Sequence, residues 1–438
     1  MFKKLTYGIG NLSYSVINQT MTSFFVFFAT SILDLRGICV GIAIAISTIW
    51  DGISDTFVGF LSDNHNFLKM GKRNGFMLVA SIGMAIFNLL IWCVPSNISN
   101  FFKFIWIIIS LILLETFNTM FATPYMALGN ELATSDNDRT KYSSVSTVFY
   151  LIGIIIPSML MFLFLPSTDE YPQGQLNPKG YIKIAIVSSL ICLITGIICS
   201  LFTRQKEKNI NAKKEKLELK KIFHNFLEVY KNRKLRNIIL GYVCTSMATV
   251  FLCGIGMHFF TYSLFYSTSQ ITFILLTLIV GTIISQPLWI KLSKKFSKDN
   301  ALSIGIILTI LGVFLVIFIY IFRIDLYPYS FYFMIVSVLI CGIGSGALYS
   351  LPTSIYGDEL IRLGGNNIAT YTGALTFSSN IANAIVQLMI GILLDLIKFN
   401  NKVSVQTLLV QTGLALILFV GVQVSLIFSL MVFLRKKD

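Results

Sequence analysis

The chain has 438 residues, of which 55% are hydrophobic and 12% are charged, and its mean hydropathy is +0.77. A soluble domain carries roughly 25% charged residues, so this composition excludes a set of soluble domains and indicates a polytopic membrane protein. The net charge of +14 is interpreted by its position along the chain, because Lys and Arg collect on the cytoplasmic side of a membrane. We therefore expect no nucleic-acid partner.

Twelve apolar segments follow one another along the chain, and each is long enough to cross a bilayer as a helix. They cover residues 8–33, 38–61, 75–95, 101–128, 142–165, 181–202, 237–265, 271–290, 301–322, 330–356, 368–394 and 407–434. With both termini placed in the cytoplasm, 27 of the 34 Lys and Arg residues fall on the inner side. This asymmetry predicts a multi-pass protein of the cell (plasma) membrane with both termini cytoplasmic.

The longest hydrophilic segment, residues 203–236, separates six spans from six. It divides the chain into an N-terminal six-helix bundle (1–202), a cytoplasmic central loop (203–236) and a C-terminal six-helix bundle (237–438). The charge pattern of the loop fits either an amphipathic helix on the inner membrane surface or a solvated linker.

The two halves share a repeated sequence at the inner ends of the fourth and tenth spans. Residues 124–132 read PYMALGNEL and residues 352–360 read PTSIYGDEL, so Pro, Gly, Glu and Leu match at a constant offset of 228. This match predicts two parallel six-helix repeats, which place a substrate site near the membrane midplane at their interface.

The second span carries two carboxylates, Asp51 and Asp55, with Ser54 beside them. Residues four apart lie on one helical face, and one carboxylate at mid-membrane costs about 2.5–3.5 kcal/mol on insertion scales. The span itself contains no Lys or Arg. We therefore expect a bound cation to compensate the charge; the alternative is that one Asp is protonated and shares its proton with the other.

Polar side chains line one face of two further spans. They are Asn11, Ser15, Asn18 and Thr22 in span one, and Thr376, Asn380, Asn383 and Gln387 in span eleven. We interpret both faces as walls of a water-filled cavity, whereas the alternative is hydrogen bonding between packed helices.

Span four adds Glu115, Asn118 and Thr119. Glu115 is either protonated by desolvation or a possible coupling acid. His258 fits either a proton relay or a packing role, and Gln286-Pro287 predicts a kink in span eight.

Asp63 lies at the inner end of span two, where the helix dipole disfavours a negative charge. We therefore expect a basic partner from Lys72, Arg73 or the start of span eleven, and we interpret Asp63, Lys72 and Arg73 as an inner gate. The chain has no GxxxxGK[ST] sequence, so no ATP-driven pump is indicated. Seven scattered Cys suit helix packing, and three His exclude a His-based metal cluster. We expect no cofactor, no transition-metal site and no enzymatic activity.

Several of these segments resemble one known family. WDGISD at 50–55, GKR at 71–73, PYMALGNEL at 124–132 and DRT at 138–140 resemble the glycoside–pentoside–hexuronide:cation symporters, the melibiose-permease-like branch of the major facilitator superfamily. The resemblance implies the twelve-helix fold of that superfamily. It also implies a cation site formed by Asp51, Ser54, Asp55 and Thr119, whose oxygen ligands suit Na⁺, Li⁺ or H⁺.

The sugar-binding positions of that family are replaced here by small or neutral residues. They fall at or near Ser15, Ala122, Met126, Ser146 and Asn380. A neutral, partly apolar cavity suits a small neutral solute, an amphiphile or a lipid.

The sequence therefore predicts a monomeric, cation-coupled (Na⁺ or H⁺) secondary active transporter of a small solute such as a sugar or glycoside, working by alternating access. Its partners would be membrane lipid and a small-molecule substrate. Three alternatives remain: a lysophospholipid carrier of the same fold, a proton-driven exporter, and a non-transporting membrane sensor.

Overall fold

The computed structural model describes residues 2–64, 70, 73–133, 135–204, 229–362, 368–401, 403 and 405–435. Within these ranges every regular element is helical, which confirms the predicted all-α class. By its contacts the chain forms two compact units, one comprising Met1–Leu35 and Ile42–Leu217, the other Arg36–Gly41 and Glu218–Asp438. The predicted boundaries at 202 and 237 remain predictions, because residues 205–228 lie outside the described ranges.

Six long helices belong wholly or mainly to the first unit. They are α1 (Phe2–Phe27), α2 (Gly37–Asn64), α3 (Asn74–Trp92), α4 (Asn100–Leu132), α5 (Asp136–Phe164) and α6 (Pro178–Phe202). The first residues of α2 are grouped with the second unit. There, Gly37 N donates to Asp395 Oδ1 over 2.8 Å and Ile38 N to Asp395 Oδ2 over 3.1 Å, so a carboxylate caps the positive end of the α2 dipole.

The second unit contains the remaining helices of the described chain. They are α7 (Arg233–His258), α8 (Thr268–Ile284), α9 (Gln286–Phe296), α10 (Lys298–Ile321), α11 (Ser330–Arg362), α12 (Ile368–Leu396) and α13 (Leu408–Arg435). Helices α8 and α9 are bent by 41° at Ser285, which confirms the kink predicted at Gln286-Pro287.

Ten helices in the described ranges are long and apolar enough to cross a membrane, and there are eleven spans if the bent pair α8–α9 counts as one. Helix α1 is the helical counterpart of the remaining predicted span. It falls outside this set because polar residues such as Asn11, Asn18 and Gln19 interrupt its apolar sequence.

Each unit repeats the same helix contacts. In the first, α1 packs against α5 and α6, and α3 packs against α4 and α6. In the second, α7 packs against α12 and α13, and α10 packs against α11 and α13. Close approach in the first unit depends on small residues: a Cβ on Gly153 of α5 would collide with the Ser15 side chain of α1.

The first helix of each unit ends in the same unusual way. A five-residue π turn follows α1 at Phe28–Ile32 and follows α7 at Phe259–Ser263. Shortly afterwards Asp34 and Phe265 adopt positive φ angles of 60° and 57°, a conformation that side chains rarely accept. Both pairs of features are separated by 231 residues, so the internal repeat extends to backbone conformation.

Candidate cation site and adjacent cavity

Helices α2 and α4 bring three of the predicted cation ligands into direct contact. The hydroxyl of Thr119 donates to Asp51 Oδ1 over 3.0 Å, and Thr119 Oγ1 lies 3.1 Å from Ser54 Oγ. Ser54 is 5% exposed and Thr119 is 2% exposed, so these hydroxyl groups are held away from solvent and lipid. The result is a set of oxygen atoms shared between the two helices.

Asp55 completes this set from the next turn of α2. Its side chain hydrogen-bonds to the hydroxyls of Thr119 and Thr123. Thr119 therefore contacts both carboxylates, whereas Thr123 is a contact that the sequence did not indicate. Asp55 remains exposed, while Asp51 is half-buried.

Glu115 and Asn118 extend the polar cluster along α4. Asn118 Nδ2 donates to Glu115 Oε2 over 3.0 Å and to Asn18 Oδ1 of α1 over 3.1 Å. Glu115 is close enough to Asp51 and Asp55 for electrostatic repulsion. Three carboxylates thus occupy one region of α2 and α4.

The basic residues of α1 and α4 lie near helix ends, and α2 has none. Lys3 and Lys4 are in the first turn of α1 and Lys103 is in the first turn of α4. Lys4 pairs with Asp138, and Lys103 Nζ donates to Leu33 O over 3.1 Å. The middle parts of these helices therefore supply no positive charge to the carboxylates.

The cluster is suited to an alkali cation or a proton more than to a transition metal. In the described part of the chain, no three His, Cys, Asp or Glu side chains are arranged to hold a metal ion. The available ligands are carboxylate, hydroxyl and amide oxygens, which hard cations prefer.

A cavity of about 440 Å³ lies in the first unit between α1, α4 and α5. It is lined by the five tyrosines Tyr7, Tyr14, Tyr125, Tyr142 and Tyr150, together with Asn11, Ala122, Met126, Arg139 and Ser146. The Tyr7 and Tyr125 rings stack with their centroids 4.4 Å apart. Such a lining offers aromatic surfaces, hydroxyl groups and one positive charge.

Hydrogen bonds fix the polar wall of this cavity. Asn11 Nδ2 donates to Ser146 Oγ over 2.9 Å, and Tyr125 Oη lies 2.8 Å from the same Ser146 oxygen. Tyr125 also donates to the backbone oxygen of Tyr7 over 3.0 Å. The hydroxyl of Ser146 therefore connects α1, α4 and α5.

Four predicted substrate residues line this cavity, namely Asn11, Ala122, Met126 and Ser146. The structure differs from the expectation at Ser15, which is 1% exposed and donates to Asn11 O over 2.8 Å. It packs against Gly153 because the α1–α5 contact is too close for a water-filled space there. Asn18 and Asn118 form the hydrogen bond described above, and Thr22 is exposed.

The predicted residues of span eleven lie on α12, in the second unit. Asn383 Oδ1 accepts from Ser246 Oγ of α7 over 2.8 Å. Gln387 of α12 lies beside Gly254 of α7. The buried Oε1 of Gln387 has no hydrogen-bond partner. Asn380 is half-buried, and Thr376 is exposed. Their assignment to a substrate cavity remains a prediction.

Of the predicted inner gate, only Arg73 has a described side chain; Lys72 and the Asp63 side chain lie outside the described residues. Arg73 Nε is 3.0 Å from Glu131 Oε1, and its Nη1 donates to Ser62 Oγ over 2.8 Å. Glu131 belongs to the repeated sequence, and its counterpart in the second unit, Glu359, lies 3.6 Å from Arg362 Nη1. The preceding residue, Asp358, pairs with Lys298 Nζ at 2.6 Å. The gate remains a prediction, with Glu131 as an added partner.

The tyrosine-lined cavity and Arg139 were not found from the sequence. Tyr7, Tyr125 and Tyr142 come from three different helices, and the periodicity of a single helix cannot group residues of separate helices. Arg139 belongs to the DRT sequence at 138–140, which indicated the family resemblance but was not assigned to a site. This sequence was the available indication of a positive charge at the cavity.

Comparison with known proteins gives a consistent result. A family model described as MFS/sugar transport protein matches residues 6–437. The chain is 21% identical to a sodium-dependent lysophosphatidylcholine symporter 1-A of Danio rerio over 82% of this chain and 70% of that protein. It is 22% identical to the uncharacterized symporter YjmB of Bacillus subtilis over 99% of this chain and 92% of that protein.

Solved structures share the fold. The chain aligns with the nucleoside transporter NupG over 100% of both chains, with a TM-score of 0.69 and 13% identity. It also aligns with a D-xylose-proton symporter over 97% of this chain and 96% of the other, with a TM-score of 0.68 and 12% identity.

Proposed function

Because the chain belongs to the MFS/sugar transport protein family, we propose that it is a cation-coupled secondary active transporter of a small solute, working by alternating access. The family match confirms the resemblance and the fold found from the sequence. The observation that supports cation coupling is the contact of Asp51, Ser54 and Thr119 between α2 and α4, with Asp55 beside them.

A monovalent cation would act in this site by removing charge repulsion. Without a cation, the carboxylates of Asp51 and Asp55 on α2 repel that of Glu115 on α4, and this repulsion opposes close packing of the two helices. A bound Na⁺ or H⁺ neutralises part of that charge, so that α2 packs more closely against Thr119 of α4. Cation binding would then select the conformation in which the neighbouring cavity is ready for substrate.

Coupling follows if substrate and cation favour the same conformation, since each then raises the affinity for the other by the same factor. The inward movement of one positive charge releases about 2.3 kcal/mol of free energy per 100 mV of membrane potential, negative inside. This energy, together with the cation gradient, would drive substrate accumulation.

The tyrosine-lined cavity is the proposed substrate position in the first unit. The exposed ring of Tyr150 suits the apolar face of a sugar ring, and the oxygens of Tyr125, Ser146 and Asn11 suit hydroxyl groups. A small glycoside fits this combination of surfaces.

The decisive experiment is uptake by the Asp55→Asn variant. We expect it to be expressed and folded like the parent protein but to lose cation-dependent uptake, because Asn keeps the size and loses the charge. An Asp169→Asn variant, which changes an exposed loop acid, is the matched control and should keep normal uptake. Full Na⁺ or H⁺ dependence in Asp55→Asn would reject the site.

A second candidate substrate is a lysophospholipid. It is favoured by the similarity to proteins named sodium-dependent lysophosphatidylcholine symporters, and Arg139 at the cavity could hold a phosphate. Thermal stability with Na⁺ should be measured against a panel of sugars, nucleosides and lysolipids. Stabilisation by lysolipids alone would select this candidate, whereas a dependence on pH alone would favour proton coupling, including the proton-driven exporter.

A further inference from the structure

Beside the candidate cation site, the side-chain oxygen of Asn118 is buried without a hydrogen-bond donor. Asn118 is 2% exposed, and its Oδ1 has no hydrogen-bond partner. Its Nδ2 is already engaged by Glu115 Oε2 at 3.0 Å and by Asn18 Oδ1 at 3.1 Å. Because both hydrogen bonds are donated by Asn118 Nδ2, Asn118 Oδ1 can still accept a hydrogen bond or bind a cation.

A buried amide oxygen in this position destabilises the folded protein unless a donor or a cation occupies it. A cation is the expected occupant because the charged Glu115 carboxylate, close to Asp51 and Asp55, is repelled by both. One monovalent cation between the aspartates would leave excess negative charge around Glu115. No Lys or Arg lies in the middle of α1, α2 or α4 to balance it.

We propose that Glu115 and Asn118 form a second monovalent-cation position, with the Glu115 carboxylate and Asn118 Oδ1 among its ligands. Both ligands are hard oxygen atoms, so the expected occupant is an alkali cation such as Na⁺ or Li⁺. This inference rests on the proposed function, because it adds a second ion beside the site formed by Asp51, Ser54, Asp55 and Thr119.

The second position also contacts the substrate cavity through α1. Asn118 Nδ2 donates to Asn18, and the Tyr14 side chain hydrogen-bonds to Asn18 one helical turn away. Tyr14 is one of the residues lining the cavity. An ion at Asn118 would therefore fix the orientation of Asn18 and Tyr14, so that ion and substrate act on shared side chains.

The test is equilibrium binding of radioactive sodium to the purified full-length protein, at a concentration that saturates the parent. We expect two sodium ions per parent protein and one ion per protein in Glu115→Gln and in Asn118→Leu. Gln keeps the size of Glu115 and removes its charge, whereas Leu keeps the size of Asn118 and removes its oxygen. Glu170→Gln, at an exposed loop acid, should still bind two.

The ion count separates failure of this proposal from failure of the proposed function. A single ion in the parent protein, unchanged in Glu115→Gln, overturns the second position and leaves the first intact. No bound sodium overturns the second position and sodium coupling together. Two ions in the parent and in both variants would place the second ion elsewhere. If Asn118→Leu does not fold, the count in Glu115→Gln decides alone.

Discussion

The hydroxyl of Thr119 on α4 donates to Asp51 Oδ1 on α2 over 3.0 Å. Thr119 Oγ1 is also 3.1 Å from Ser54 Oγ, and the Asp55 side chain hydrogen-bonds to the same hydroxyl. One hydroxyl group thus contacts all three of the α2 residues that are proposed cation ligands. Loss of this hydroxyl should affect the cation site more than loss of any other neutral side chain in it.

We therefore predict that Thr119→Val weakens sodium binding while Thr119→Ser retains it. Val keeps the shape of Thr without its oxygen, and a hydrogen bond to a charged group contributes about 1.5–3 kcal/mol. Affinity should fall by about tenfold or more, since tenfold corresponds to about 1.4 kcal/mol. Sodium-dependent thermal stabilisation measures this change. Equal sodium affinity in both variants would contradict the assignment of Thr119.

Trp50 should report cation binding through its intrinsic fluorescence. Its Nε1 donates to Thr116 Oγ1 over 2.8 Å. Trp50 directly precedes Asp51 and Thr116 directly follows Glu115, so this hydrogen bond lies beside both carboxylates. We expect sodium to change the emission because it alters the charge beside this ring. The change should be lost in Trp50→Phe and kept in Trp106→Phe, whose indole donates to Leu90 O.

Gly153→Ala should loosen the contact between α1 and α5. A Cβ at this position collides with the Ser15 side chain, and overpacking of this kind costs about 1–3 kcal/mol. The thermal midpoint should fall, and adding Ser15→Gly should restore part of it. Gly373→Ala is a matched control, because nothing lies within 4 Å of a Cβ there. An unchanged midpoint in Gly153→Ala would show that the helices separate easily.

The ion pairs of the two units should differ in strength. The Arg73 side chain is 11% exposed, whereas Lys298 is 35% exposed, and Arg73 also donates to Ser62. Exposed pairs contribute about 0.2–1 kcal/mol, so a double-mutant cycle should give a larger coupling for Arg73–Glu131 than for Lys298–Asp358. The reverse order would indicate that burial does not govern these pairs.

The sequence predicted the features that depend on short segments of the chain. The helices were predicted from the length of the apolar segments, the internal repeat from the Pro-Gly-Glu-Leu match, and the bend between α8 and α9 from Gln286-Pro287. The position of Thr119 next to Asp51 came from the family resemblance, because no spacing rule relates residues 68 positions apart.

The features that were missed depend on packing between distant helices. The polar face containing Asn11 and Ser15 was predicted to line a cavity, but Ser15 faces Gly153 at a close helix contact. A polar side chain looks the same in sequence whether it faces water or a neighbouring backbone. Contacts such as Arg73–Glu131 and Asp55–Thr123 likewise depend on helix positions that one helix alone does not determine.

The paired π turns after α1 and α7 also carry information about descent. A π turn holds one residue more than the corresponding α-helical turn, and both units have it at the same place, followed by a residue with positive φ. The simplest history is a single insertion in an ancestral six-helix protein, followed by gene duplication and fusion. Under this history the π turn is older than the twelve-helix chain, and separately encoded six-helix ancestors would already have possessed it.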